Sequence, residues 1–134
     1  MDTGSAFVYN DTDMISYFRE ASMPRQSIFN MPFSRIYPLL VQKAQRKGRT
    51  QEEVDSIITW LTGYGLEKTD LNVPCQAFFQ NAPAWNPLSE KITGKVCGVQ
   101  VETIQDNVMK RIRQLDKLVD ELAKGKPLEK ILRT

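Results

Sequence analysis

The feature that most constrains the fold is a long amphipathic helix predicted near the end of the chain. Asp106 is a good N-cap residue, and Gly125 followed by Pro127 is a common signal for the end of a helix. Between these signals, apolar residues recur at steps of four, three, four and three: Val108, Ile112, Leu115, Val119 and Leu122. This spacing predicts one helix over residues 106–124 with an apolar stripe along one side.

A helical hairpin is predicted upstream, over roughly residues 34–63. Ser34 is the candidate N-cap of its first helix. Because proline disfavours helical geometry in the preceding residue, the regular part of this helix is expected to begin at Pro38. After a turn, Thr50 and Glu53 match the capping box that opens a second helix. The apolar face of this second helix consists of Val54, Ile57, Ile58 and Leu61. Two helices joined by a short turn make an αα-hairpin.

The other predicted elements are short. Pro74 can occupy the first turn of a helix near 74–81, and partly alternating valines favour a short extended segment near 92–101. The chain is therefore predicted to be mainly α, a small orthogonal helical bundle whose core is the hairpin and the long helix.

The start of the chain is predicted to be an N-terminal extension, residues 1–30, with a short helix before Pro24 or only partial order. Four acidic and two basic residues give this segment a net charge of −2. Residues 31–134 are predicted to form a single helical domain, which suits their length.

The chain of 134 residues contains no histidine, which restricts its chemistry. Histidine is the commonest general base, the usual partner of serine and cysteine nucleophiles, and the commonest metal ligand. A histidine-free structural zinc site usually needs four cysteines, and the chain has only Cys75 and Cys97. We therefore predict no catalytic residues, no metal site and no cofactor, and expect buried free thiols rather than a disulfide.

The charge balance predicts no field that would draw the whole chain to nucleic acid or acidic lipid. The 18 basic and 16 acidic residues give a formal charge of +2. No apolar run approaches the ~20 residues that span a bilayer. Residues 1–10 lack the basic and apolar regions of a secretory signal. The protein is therefore expected to be cytoplasmic, without a membrane partner.

Several segments resemble a family of small, mainly bacterial proteins that is described only as a domain of unknown function. The matching segments are 31–44 (MPFSRIYPLLVQKA), 46–55 (RKGRTQEEVD), 60–64 (WLTGY), 92–94 (ITG), 96–99 (VCGV), 115–126 (LDKLVDELAKGK) and 129–133 (EKILR). The resemblance covers about residues 31–133. It implies a compact, mainly helical fold, and it implies no activity, cofactor or catalytic residue.

A basic run at the end of the first hairpin helix is one candidate binding site. Its members are Lys43, Arg46, Lys47 and Arg49. On a helix end these charges complement the negative pole of the helix dipole, which is the first interpretation. The alternative is contact with phosphate in a nucleic acid or phosphometabolite. Nucleic acid is the less favoured partner, because the second hairpin helix opens with acidic residues that would repel a phosphate backbone.

Trp60 and Tyr64 are the aromatic candidates for binding. Trp60 lies beside the apolar face of the second hairpin helix, so its first interpretation is a flank of the core. The alternative is an exposed anchor for a protein partner, because tryptophan and tyrosine are enriched in binding hot spots. Gly63 and Gly65 beside them are explained by helix capping.

Two further groups of residues have reactive or metal-binding side chains but do not predict a reaction. Cys97 follows Lys95 closely, and a lysine can activate a nearby thiol, but no histidine is available to complete a catalytic pair. Asp116, Asp120 and Glu121 on the long helix could hold a divalent metal. The basic residues around these three acids instead predict ion pairs across a solvated face.

The favoured hypothesis for function is a noncatalytic interaction module that binds a protein partner or a second copy of itself. It is motivated by the missing catalytic side chains and the wide apolar stripe. The stripe spans only two heptads, so packing within the same chain is its first interpretation. The alternatives are a nucleic-acid or phosphometabolite binder through residues 43–49, and an enzyme of unknown class.

Overall fold

Helices make up most of the part of the chain that the computed structural model describes, residues 25–96 and 98–133. The α-helices are α1 (Arg25–Asn30), α2 (Phe33–Gln45), α3 (Gln51–Thr62), α4 (Cys75–Gln80), α5 (Asn107–Ala123) and α6 (Leu128–Ile131). Short 3₁₀ turns and two-residue strands complete the described elements: Leu66–Lys68, Pro87–Lys91, Val101–Thr103, β1 (Lys95–Val96) and β2 (Val99–Gln100). The prediction of a small, mainly α domain is confirmed. The helix predicted before Pro24 lies outside the described residues.

Helices α2 and α3 form the predicted hairpin, and α3 begins and ends on the expected signals. The amide of Glu53 donates to Thr50 Oγ1 at 3.1 Å, and the amide of Thr50 donates to Glu53 Oε1 at 3.0 Å, which completes the capping box. Gly63 ends α3 in the left-handed region, with φ of 85°.

The start of α2 differs from the prediction. The helix begins at Phe33 after Pro32, and the side chain of Ser34 does not cap it. The loop before α4 supplies the cap instead, because the amides of Phe33 and Ser34 donate to the carbonyls of Val73 and Leu71, each at 2.8 Å. Backbone pairing with a distant segment therefore replaces a local cap, and Pro38 is accommodated inside the helix.

Helix α5 is the central element and packs against α2, α3 and α4. It begins after Asp106, whose side chain accepts a hydrogen bond from the amide of Met109 at 2.9 Å. All members of the predicted apolar stripe are buried: Val108, Ile112, Leu115, Val119 and Leu122. The prediction that the stripe packs on the hairpin of the same chain is therefore confirmed.

The aromatic residues of α4 fill the space between the hairpin and α5. The rings of Phe33 and Phe78 are stacked with centroids 3.9 Å apart, and Phe79 meets both rings edge-on. Helix α1 packs on α4, and Ile28 of α1 is buried in the same core. The core therefore includes a residue on the N-terminal side of the boundary predicted near residue 30.

The extended segment predicted near 92–101 contains a minimal antiparallel ribbon. Strands β1 and β2 pair with each other in the register Lys95 to Gln100 and Val96 to Val99. Val96 is buried against α5, so the ribbon is fixed to the helical core. Within the described residues, no helix is both long and apolar enough to cross a membrane.

Candidate functional site

An open groove of about 600 Å³ lies on the outer side of the hairpin. We call it the hairpin groove. One wall comes from α2, the floor from α3, and the other wall from the 3₁₀ turn that follows Gly65. Its lining residues are Tyr37, Gln51, Asp55, Ser56, Thr59, Trp60, Leu66 and Glu67.

The helical period of α3 explains which side chains reach the groove. The face opposite the groove carries the apolar residues that are buried in the core, from Val54 to Leu61. Asp55 and Thr59, one turn apart, therefore point outward together with Trp60. The left-handed Gly63 then reverses the chain, which brings Leu66 and the rest of the 3₁₀ turn to the opposite wall.

Tyr37 links the two helices of the groove through a short hydrogen-bond chain. Its hydroxyl donates to Asp55 Oδ1 at 2.6 Å and accepts from Gln51 Nε2 at 2.8 Å. Burial, and then the hydrogen bond to Asp55, raise the pKa of Tyr37 to about 12. The phenol therefore stays protonated at neutral pH and fixes the orientation of the Asp55 carboxylate.

The groove carries negative charge. Asp55 and Glu67 line it, and Glu52 lies close enough for its charge to act on Tyr37. In the described ranges, no lysine or arginine forms an ion pair with any of these three carboxylates. The groove is therefore suited to a cation and disfavours an anion.

The aliphatic hydroxyl groups of the groove have no hydrogen-bonded base among the described residues. Ser56 and Thr59 are exposed, and neither side chain makes a hydrogen bond to another side chain in the described part of the protein. An alcohol nucleophile needs an adjacent general base within hydrogen-bond reach. The arrangement supplies recognition groups, namely aromatic faces and carboxylates.

The two aromatic candidates from the sequence have different settings. Trp60 is half-buried, because it packs against the core and also lines the groove. It is therefore both a flank of the core and a partly exposed aromatic residue. Tyr64 instead stacks on Phe78, with ring centroids 4.5 Å apart, and its hydroxyl donates to the Phe78 carbonyl at 2.7 Å. Burial raises the pKa of Tyr64. Tyr64 therefore supports the core beneath α3.

The basic run does not form one exposed patch. Lys43 is only 3% exposed, and its ammonium lies 3.5 Å from Asp116 and 3.4 Å from Asp120 on α5. Arg46 and Lys47 are exposed. Arg49 is half-buried and engaged in contacts within the chain, so the structure separates the four candidates into different environments.

Arg49 connects the hairpin turn to the end of α5. Its guanidinium donates to Glu53, with N–O distances of 3.2 and 2.8 Å. It also donates to the carbonyls of Leu122 at 3.0 Å and Lys126 at 2.9 Å. The hydrogen bond from Arg49, with that from Thr50, lowers the pKa of Glu53. A cation at a helix C-terminus is stabilising, and here it is supplied by another element.

The acidic residues of α5 form ion pairs as predicted, but the face they occupy is not solvated. Asp116 is fully buried and Glu121 is 7% exposed. Lys43 and Arg113 lie near Asp116, and Arg133 donates to both oxygens of Glu121. The prediction of a solvated face is wrong, because α2, β1 and α6 pack around α5 and enclose the side that its sequence pattern marks as polar.

Cys75 is a free thiol that is 1% exposed, as predicted. Burial raises its pKa to about 12, so it carries no reactive thiolate at neutral pH. The side chain of Cys97 lies outside the described residues. Over residues 25–96 and 98–133, no three cysteine, aspartate or glutamate side chains are grouped as a metal site would require.

Sequence reasoning missed most of the hairpin groove. It selected Trp60 but not Tyr37, Asp55, Leu66 or Glu67. One usable signal was present, because Trp60 is a large aromatic residue on the polar side of α3, next to Ser56 on the preceding turn. The opposite wall depends on the path of the chain after Gly63, which no local pattern specifies.

The fold defines a class, that of small, mainly helical domains built around one hairpin and one long helix. The chain belongs to the family described as "Uncharacterized protein conserved in bacteria (DUF2200)", whose model matches residues 27–133. The resemblance found in the sequence is thereby confirmed.

A solved structure is similar to the chain over most of its length. It is titled "Crystal structure of uncharacterized protein SP1917" and has a TM-score of 0.75 and 44% sequence identity. The match covers 83% of this chain and 93% of the other. A comparison with curated proteins found no match.

Proposed function

We propose that the protein is a noncatalytic interaction module that binds a segment of a partner protein in the hairpin groove. The observation that carries the proposal is the groove itself, with half-buried Trp60 at its floor and Tyr37 at its wall. Aromatic residues that are rigidly held and partly exposed are frequent anchors of protein interfaces. An open groove also suits a side-chain-bearing segment better than a small metabolite, which is normally enclosed on most sides.

The groove replaces the apolar stripe as the proposed contact surface. The stripe residues of α5 are 0–7% exposed, because α2, α3 and α4 cover them. A partner helix could reach them only after the core had opened. Self-association through the stripe therefore has less support than a partner bound on the hairpin.

The two alternatives have less support than the interaction module. Lys43 is buried and Arg49 is engaged with α5, which leaves Arg46 and Lys47 as the exposed pair of the basic run. Two neighbouring charges release few counterions on binding nucleic acid. An enzyme is less supported because the chain lacks histidine and because neither Ser56 nor Thr59 has a hydrogen-bonded base among the described residues.

The proposal places the protein in the cytoplasm. Cys75 is a free thiol in the core, and buried free thiols are usual in reducing compartments. No oxidising environment is needed for the contacts that hold the fold together in the described residues.

The test is a selection of random displayed peptides on the immobilised protein, followed by a comparison of two variants. Trp60→Leu removes the aromatic surface of the groove but keeps an apolar side chain. Trp85→Phe is the matched control, because Trp85 is the other tryptophan and does not line the hairpin groove. We expect enriched peptides to lose about tenfold in affinity for Trp60→Leu, since an anchor residue contributes more than ~1 kcal/mol.

The control protein should bind the same peptides with wild-type affinity. Failure to enrich any peptide, or equal binding to wild type and Trp60→Leu, would contradict the proposed function. Thermal melting of both variants by circular dichroism separates a binding defect from a folding defect.

A further inference from the structure

The surface of the hairpin groove is negatively charged. Asp55 and Glu67 line it and Glu52 is close by, as the influence of Glu52 on Tyr37 indicates. No described lysine or arginine neutralises them through an ion pair. Elsewhere on α3 the situation differs, because Glu53 is paired with Arg49 at 2.8 Å. Among the acidic residues of α3 and the turn that follows it, those at the groove are thus the ones that an external cation can pair with.

The tryptophans show the same contrast. Arg111 lies over the ring of Trp85, with its guanidinium carbon 4.4 Å from the ring centroid. Within the described residues, no cation lies over Trp60. A guanidinium or ammonium placed over an indole face is stabilised by ~0.5–2 kcal/mol, depending on its exposure. Among the described residues, the groove therefore combines an aromatic side chain that bears no cation with carboxylates that form no ion pair.

From this combination, and resting on the proposed function above, we infer that the hairpin groove binds a basic segment of a partner protein. An arginine or lysine side chain of that segment lies against Trp60, and its charged end is held by Asp55 and Glu67. Tyr37 is a positioning residue, because its hydroxyl holds one oxygen of Asp55 and leaves the second oxygen available to a ligand.

The same charges exclude other occupants. An acidic peptide or a nucleic-acid backbone would be repelled by the carboxylates at the groove. A purely apolar segment would cover Asp55 and Glu67 without providing a counter-charge, which costs desolvation energy. A basic segment provides both an aliphatic stem for Trp60 and a counter-charge for the acids.

The test measures the binding of three fluorescently labelled pools of short peptides by anisotropy. The pools have uncharged degenerate flanks and a fixed central arginine, leucine or glutamate. We expect the arginine pool to bind wild type about tenfold more tightly than the leucine pool, and the glutamate pool to bind least. Binding of the arginine pool should weaken as salt is raised, because exposed ion pairs are screened.

Two double variants, each removing two negative charges, provide the control. Asp55→Asn with Glu67→Gln changes the groove but keeps an acceptor for Tyr37. Glu90→Gln with Glu129→Gln changes exposed acids that do not line the groove. We expect the groove variant to lose the preference for arginine and the control variant to stay within about twofold of wild type.

The outcomes separate this inference from the proposed function. Equal binding of the arginine and leucine pools, with loss of both in Trp60→Leu, overturns the basic partner and leaves the interaction groove in place. Tightest binding of the glutamate pool, or equal losses in the two double variants, also overturns the basic partner. Failure of every pool to bind wild type contradicts both.

Discussion

At the residue scale, the charges buried between α2 and α5 restrict which residues can replace them. Lys43 and Asp116 are 3% and 0% exposed, with N–O distance 3.5 Å, and Asp120 lies 3.4 Å from the same ammonium. Taking such charges out of water costs several kcal/mol, which their mutual attraction offsets. Removing Lys43 takes one counter-charge from the buried Asp116 and leaves it Arg113, whose guanidinium is 3.8 Å away.

We therefore expect Lys43→Met, which keeps the length of the side chain, to lower the free energy of unfolding by about 3 kcal/mol. The control is Lys130→Met on α6, an exposed position where we expect a change of less than about 0.5 kcal/mol. Urea unfolding followed by circular dichroism measures both values. A Lys43→Met protein as stable as wild type would show that the buried ion pairs do not hold α2 on α5.

The burial of Lys43 has a sequence signal that is visible only once α2 and α5 are paired. Lys43 follows Ile36 and Leu40 at helical spacing, so it continues the apolar face of α2. Asp116 lies one turn after Ile112 and similarly borders the stripe of α5. From the sequence alone, each of these two charged residues is predicted to lie on the surface. Only the packing of α2 on α5 shows that they neutralise each other.

At the element scale, the end of α3 determines the shape of the groove. Gly63 has a φ of 85°, and a Cβ added there would lie 2.7 Å from the Cβ of Ala84 and 2.8 Å from its backbone nitrogen. Gly48, in the hairpin turn, has a similar φ of 81° but no atom within 4 Å of such a Cβ. The two glycines thus share the conformational requirement and differ in the space around them.

We expect Gly63→Ala to lower the free energy of unfolding by about 2–4 kcal/mol, because left-handed strain and a backbone clash add together. Gly48→Ala should lower the free energy of unfolding by only about 1 kcal/mol, because it introduces the left-handed strain without a clash. Urea titrations of the two variants side by side give the difference. Equal losses would mean that Ala84 moves aside and that α3 is not fixed at this end.

The elements that the sequence predicted best are those with local signals at both ends. The bounds of α5 follow from Asp106, Gly125 and the spacing between them, and α3 follows from its capping box. The start of α2 was missed because its first amides are satisfied by Leu71 and Val73, nearly forty residues away in sequence. A cap of this kind leaves no local trace.

At the scale of the whole molecule, the hairpin groove is assembled from three elements that pack around one core. Only Trp60 among its residues was selected from the sequence, because a lone aromatic on a polar helix face is visible without a fold. Tyr37 reaches the groove because α2 packs on α3, and Glu67 reaches it because the chain reverses at Gly63. The basic run had the stronger pattern, yet the fold buries Lys43 and directs Arg49 to α5.

The proposed binding surface of this protein is the hairpin groove. The most direct measurement is a titration of ¹⁵N-labelled protein with the central-arginine peptide pool, followed through the indole N–H resonances of its two tryptophans. Trp85→Phe assigns the two signals. We expect the resonances of the Trp60 indole and of the α3 amides to shift while that of the Trp85 indole stays in place. Shifts confined to Trp85 or to residues 43–49, with Trp60 unmoved, would contradict this expectation.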